Sequence, residues 1–157
     1  PWWHWVFPRN KHLFEKCREK IFVPSKERYD TRGYFRFAYI EGLYYATQDV
    51  TVICPKPNFR EGIKYILALL NSEPYQEYIR YRGFTRGGVY DFSEKPLAEI
   101  PIIRIDWNND VEKRLYEEIV TLTDEIIREK SWRRYIDELN ELVLKLLSLI
   151  NISKFLY

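Results

Sequence analysis

Val50-Thr51-Val52-Ile53-Cys54-Pro55-Lys56-Pro57-Asn58-Phe59-Arg60-Glu61-Gly62-Ile63-Lys64-Tyr65-Ile66-Leu67-Ala68-Leu69-Leu70 changes its periodicity halfway along. The first five residues are dominated by β-branched side chains and read as a strand. After Pro57, Ile63, Ile66, Leu67 and Leu70 recur at helical spacing, and Asn71-Ser72 ahead of Pro74 stop the run. Residues 60–70 are therefore expected to form an amphipathic helix.

Toward the amino terminus, the same β texture recurs in Lys20-Ile21-Phe22-Val23-Pro24, in Tyr34-Phe35-Arg36-Phe37-Ala38-Tyr39 and in Leu43-Tyr44-Tyr45-Ala46. Trp2-Trp3-His4-Trp5-Val6-Phe7, closed by Pro8-Arg9-Asn10, reads as a further aromatic strand, and residues 28–33 and Glu41-Gly42 read as turns. Connections this short leave no room for helical crossovers. The class expected is α/β in the α+β sense: a mixed or mainly antiparallel small sheet with packed helices.

Toward the carboxyl terminus, a second helix is expected from Glu73 to about Arg82, then a flexible basic and aromatic loop over residues 83–90, then a turn and strand over residues 97–103. Val111, Leu115, Ile119, Leu122 and Ile126 form one helical stripe. After the cap Ser131, Tyr135, Leu139, Leu142, Leu146 and Ile150 form another. The expected division is a domain over residues 1–107 and a carboxy-terminal helical pair over residues 108–157, packed on that domain or on a partner.

A chain of 157 residues that is 46% apolar can bury one substantial core. Aromatic residues make up 17%, with 13 tyrosines, side chains that suit wet interfaces as well as small cores. The formal charge of +2 is unevenly placed: residues 1–107 hold 17 Lys and Arg against 13 Asp and Glu, residues 108–157 hold 8 against 10. A surplus confined to the first part fits a local basic face better than a chain that coats nucleic acid indiscriminately.

Two cysteines without a CxxC spacing and two histidines, His4 and His12, supply neither a disulfide framework nor a zinc cluster, and a cytoplasmic address is expected. No stretch approaches the roughly 18 apolar residues of a membrane span. The chain begins at Pro1 without an initiator Met, which leads to the expectation of a piece whose amino-terminal partner domain lies elsewhere.

No GxGxxG or GxxxxGK[ST] loop occurs, and Gly87-Gly88 alone does not make a phosphate cradle. There is no Glu-x-Lys of the kind metal nucleases use, and the only candidate bases for a Ser or Cys nucleophile are the two amino-terminal histidines. The Glu117-Glu118 and Asp124-Glu125 pairs read as solvated helix faces. No catalytic or metal-binding residue is assigned.

What remains is a set of cations interleaved with aromatics: Arg28, Tyr29, Arg32 and Tyr34 in one segment, Arg80, Tyr81, Arg82, Phe84 and Arg86 in another. Guanidinium groups pair with phosphate or bidentately with guanine, and aromatic faces stack. Arg28, Arg32, Tyr34, Arg80, Arg82, Phe84 and Arg86 are the candidate DNA-binding residues.

The order of motifs resembles a known family. Pro8-Arg9 follows an aromatic strand; Lys20-Ile21 leads to Val23-Pro24; Leu43-Tyr44-Tyr45-Ala46-Thr47-Gln48-Asp49-Val50 leads to Ile53. Then come Tyr65-Ile66-Leu67-Ala68-Leu69-Leu70-Asn71-Ser72, Gly87-Gly88-Val89-Tyr90 and Leu97-Ala98-Glu99-Ile100-Pro101-Ile102. The leucine-rich helix ending in Asn-Ser, followed past a Gly-Gly loop by Leu-x-x-Ile-Pro-Ile, is the most specific combination.

Together these resemble the target-recognition domain of TaqI-like DNA adenine-N6 methyltransferases of restriction-modification systems, which has relatives in type I specificity subunits. The resemblance implies recognition of duplex DNA in a defined sequence. It also implies a methyltransferase catalytic domain, in cis or in trans, that holds S-adenosylmethionine and carries an Asn-Pro-Pro-Tyr-type motif. That motif is absent from this chain. No cofactor is expected within the chain, and no membrane partner. The alternative expectation is a protein-interaction module that recruits a modification or restriction subunit through its carboxy-terminal helices.

Overall fold

The structure is a computed structural model that describes residues 11–29, 33–83 and 85–149. A leucine-rich helix, α2 (Gly62–Asn71), lies at its centre. Ile63, Tyr65, Ile66, Leu67, Ala68, Leu69 and Leu70 are all buried, so α2 is covered on nearly every side. Strand β1 (Glu19–Pro24), helix α3 (Glu73–Arg82) and helix α5 (Asp110–Glu129) pack against it. A helix apolar almost all round is stable only in such a position.

The first sheet is antiparallel, in the order β3 (Ala38–Glu41), β1, β4 (Val50–Ile53), with Ile21 opposite both Tyr39 and Ile53. This pairing sets the residue after β4 beside those before β1, where Cys17 and Cys54 form a disulfide with Cα atoms 6.0 Å apart. The bond ties the end of a short helix, α1 (Lys11–Lys16), to the end of β4. It is a single crosslink where composition led to the expectation of none.

The second sheet is also antiparallel, in the order β2 (Lys26–Glu27), β6 (Val89–Asp91), β5 (Thr85–Arg86). The expected mixed α/β class holds, with small antiparallel sheets and carboxy-terminal helices. The expected strand over residues 2–7 lies outside the described residues.

Three strand expectations are corrected. In the segment Tyr34-Phe35-Arg36-Phe37, Phe35 and Phe37 are buried and Tyr34 and Arg36 exposed, so the period of two is real, yet the ladder begins only at Ala38. Side chains occupy the backbone partners instead. Gln76 bonds both polar groups of Phe35, Glu27 accepts from the Arg36 amide at 3.0 Å, and Asn71 donates to the Phe37 carbonyl at 3.0 Å.

Residues 97–103 hold no strand. They form the end of helix α4 (Glu94–Ala98) and an extended run whose backbone is again met by side chains. Tyr65 donates to the Ile103 carbonyl at 3.1 Å, the Ile103 amide donates to Tyr75 at 3.3 Å, and the Ile105 amide donates to Glu61 at 3.2 Å. Leu43-Tyr44-Tyr45-Ala46 is a loop, anchored by the buried Lys20, whose ammonium donates to the Gly42 carbonyl at 2.6 Å.

Helix α6 (Trp132–Leu149) packs along α5, which in turn packs on α2. Asn109 caps α5 by accepting from the Val111 and Glu112 amides. The apolar stripes face this packing, with Leu115, Ile119, Leu122 and Ile126 of α5 and Leu139, Leu142, Val143 and Leu146 of α6 all buried. Val111, counted into the first stripe, is exposed; Glu112 takes the inward position and accepts from the Asp106 amide at 2.8 Å.

Candidate nucleic-acid interface

Residues 83–90, expected as a flexible loop, are mostly a hairpin. Gly83, in the left-handed region, ends α3 and turns the chain into β5. Gly87 and Gly88 both have positive φ, the backbone of a two-residue primed turn whose twist matches the strands it joins. The hairpin sets Arg86 opposite Val89 and Thr85 opposite Tyr90.

Strand β2 completes the sheet, with Glu27 opposite Tyr90, so the segment that leaves β2 at Arg28 starts beside the hairpin. Its aromatic residues then build inward. The Tyr29 ring packs on Phe35 at 5.0 Å, Phe35 on Tyr90 at 4.6 Å and on Phe92 at 5.2 Å. Phe35 is fully buried.

Arg80, in the last turn of α3, joins the two candidate segments. Its guanidinium lies 5.1 Å from the Tyr29 ring centroid and 5.7 Å from that of Tyr81, within cation–π range of both. Tyr90 donates to the Arg80 carbonyl at 3.3 Å. Glu77 accepts from the Arg80 guanidinium at 3.2 Å, and this bond raises the arginine pKa further above its ordinary value. Arg82 forms an ion pair with Glu99 at 3.6 Å.

The structure thus brings Arg28, Tyr34, Arg80 and Arg82, all exposed, onto segments that converge around the second sheet and the end of α3. Arg86 joins them by its backbone position in β5. Arg32 and Phe84 lie outside the described residues. Two contributors escaped the sequence reading. Gln76 mounts the first segment on α3, and Tyr78 stands exposed three residues before Tyr81, the spacing that puts both on one helix face. Only the i, i+3 tyrosine spacing was a usable signal; nothing local marks Gln76.

A buried carboxylate secures the base of the same segment. Glu27 accepts from the Arg36 amide and forms a close ion pair with the Arg36 guanidinium, whose own side chain is half exposed. A separate groove of about 260 Å³ lies between β4 and α4, lined by residues such as Val52, Ile53, Leu70, Leu97, Ile100 and Ile102. It is apolar, contains none of the candidate DNA-binding residues and lacks the cations that nucleic acid requires. Among the described residues no group of His, Cys, Asp or Glu is arranged to hold a metal ion, and no helix is long and apolar enough to cross a membrane.

A family model described as the TaqI-like C-terminal specificity domain matches residues 2–102, which include both basic segments and the helix between them. The chain is 44% identical over 132 residues to the type II methyltransferase M.HindII of Haemophilus influenzae, a match covering 84% of this chain and 26% of that protein. It is 42% identical over 132 residues to the type II methyltransferase M.HincII of Haemophilus influenzae, with the same coverage of 84% and 26%. The chain therefore spans about a quarter of the length of these relatives, and the match of the family model over most of its residues means that it belongs to the family of TaqI-like C-terminal specificity domains.

Proposed function

We propose that this chain is the sequence-specific duplex DNA recognition module of a restriction-modification DNA adenine-N6 methyltransferase. It grips the duplex with side chains from two stretches of sequence, residues 28–34 and 80–86, and so positions the target adenine for a catalytic domain outside the chain, joined in cis or in trans. The observation that carries this reading is the convergence at Arg80, whose guanidinium lies over Tyr29 of one basic and aromatic segment and whose carbonyl accepts from Tyr90 of the hairpin in the other.

In this division of labour, arginines on phosphates fix register and affinity, while side chains that reach base edges fix the sequence. Arg28, Arg32, Tyr34, Arg80, Arg82, Phe84 and Arg86 are the residues proposed to touch DNA. Extracting an adenine from the stack costs a few kcal/mol, and contacts made here supply part of it as binding energy. S-adenosylmethionine belongs to the catalytic domain, and no step through it is assigned to residues of this chain.

Residues 1–107 carry the recognition face in this reading, and α5 and α6, within the second part over residues 108–157, brace it. The address proposed is cytoplasmic. Selection from a pool of randomised duplexes tests the proposal. Enrichment of one defined sequence by the isolated chain is expected; recovery of unbiased sequence would contradict it. Arg86→Ala is expected to weaken binding to the enriched duplex without changing thermal unfolding.

A further inference from the structure

Tyr81 has 80% of its surface exposed, more than any other large apolar or aromatic side chain among the described residues. It sits in the last turn of α3, at the corner where Gly83 turns the chain into the hairpin. Tyr78, one turn earlier on the same face, is 37% exposed. Helix propensity does not favour tyrosine at such a position, and a bare aromatic body in water gains nothing for the fold.

The charges nearby sharpen the point. Arg80 and Arg82 each have a carboxylate partner in this chain, Glu77 and Glu99, so part of their charge is already answered within the fold. The Tyr81 ring, by contrast, is open to solvent, with the Arg80 guanidinium 5.7 Å from its centroid. A flat aromatic surface rimmed by cations suits a ligand that is flat, π-faced and attached to an anionic backbone.

We infer that Tyr81 is a stacking platform for a nucleobase of the bound duplex, a role that rests on the DNA-recognition reading above. A base inside an intact duplex has both faces covered by its neighbours. Stacking on Tyr81 therefore requires that the base step beside α3 be opened or kinked, as with apolar wedges that unstack a step to bend the duplex. Tyr81 is then a specificity-determining residue through deformability: base steps that open easily bind better at a position where no base edge is read.

The test uses the wild-type chain, Tyr81→Ala and Tyr81→Phe with the duplex enriched by selection, and with copies of that duplex carrying 2-aminopurine at one position at a time. Stacking of a single base predicts a loss of about 10-fold in affinity for Tyr81→Ala and a change within about 2-fold for Tyr81→Phe, which keeps the ring. Thermal unfolding of the three proteins should coincide. One 2-aminopurine position should change its emission on binding wild type and Tyr81→Phe but not Tyr81→Ala.

Affinity unchanged in Tyr81→Ala, an equal loss in Tyr81→Phe, or silence at every 2-aminopurine position would each overturn the inference. Failure of the wild-type chain to enrich any duplex would instead remove the DNA reading on which it rests, so the two failures are distinguishable.

Discussion

The side-chain amide of Gln76 pairs with the main chain of Phe35 in both directions, accepting from its amide at 2.7 Å and donating to its carbonyl at 3.2 Å, 41 residues away in sequence. The same nitrogen also donates to the Leu70 carbonyl at 2.7 Å. All these groups are buried, so one side chain replaces a stretch of β ladder and fastens the segment of residues 33–37 to α3.

Removal of that amide should therefore affect both stability and binding. Gln76→Leu leaves the Phe35 amide and carbonyl buried without partners, for an expected loss of about 2–4 kcal/mol. Urea unfolding measures it. DNA affinity should fall as well, because the first recognition segment loses its mount; a variant as stable as wild type would show that the pairing is dispensable.

Arg80 separates charge from packing. Arg80→Ala should weaken binding to duplex by about 10-fold and lower the slope of log affinity against log salt by about 1, as expected for one phosphate contact. Stability should change little, since the guanidinium is exposed and its Glu77 pair is screened by solvent. Arg80→Lys should keep most of the salt dependence but lose the planar contact with Tyr29. An unaltered salt slope in Arg80→Ala would place this residue outside the interface.

Glu61 predicts a pH dependence. Burial pushes its carboxyl pKa up, but the Arg104 guanidinium and the Ile105 amide outweigh that effect and hold it below the ordinary value of 4.5. Arg104 donates to it through Nε at 2.7 Å and through a terminal nitrogen at 3.1 Å. A carboxyl with a depressed folded pKa contributes stability that is present above its unfolded pKa and lost as pH falls through the folded one. Glu61→Gln should thus cost about 1–3 kcal/mol at pH 7, a difference that narrows below about pH 4.5. Equilibrium unfolding across pH checks it, and a pH-independent difference would contradict the account.

Local signals marked what is local. The helix at residues 73–82 was legible because Ser72 precedes Pro74 in its first turn and Gly83 ends it, and the α2 stripe because its spacing repeats. The alternation of Phe35 and Phe37 was legible as burial but not as topology. The groups that satisfy that backbone are Glu27, Asn71 and Gln76, and no local pattern announces a side chain standing in for a strand. The same holds for Ile103 between Tyr65 and Tyr75.

At the candidate site, composition singled out the cations and the structure supplied their arrangement. Arg28 and Arg80 read as members of two separate segments; the Arg80–Tyr29 contact unites them. Gly87-Gly88, weighed and set aside as a phosphate cradle, proves to be a primed hairpin turn that rigidifies the second segment. Tyr81 stood in plain view in the sequence, but its exposure depends on α3 turning that face outward.

The most direct measurement is the ratio of affinities for the selected duplex and for a scrambled duplex of equal length, taken at one salt concentration for wild type and for Arg28→Ala/Arg80→Ala. Sequence-specific recognition predicts a wild-type ratio of about 10³ or more. The double variant should retain its fold and bind both duplexes more weakly. Equal affinity of the wild-type chain for the two duplexes would contradict the claim that this domain reads DNA sequence.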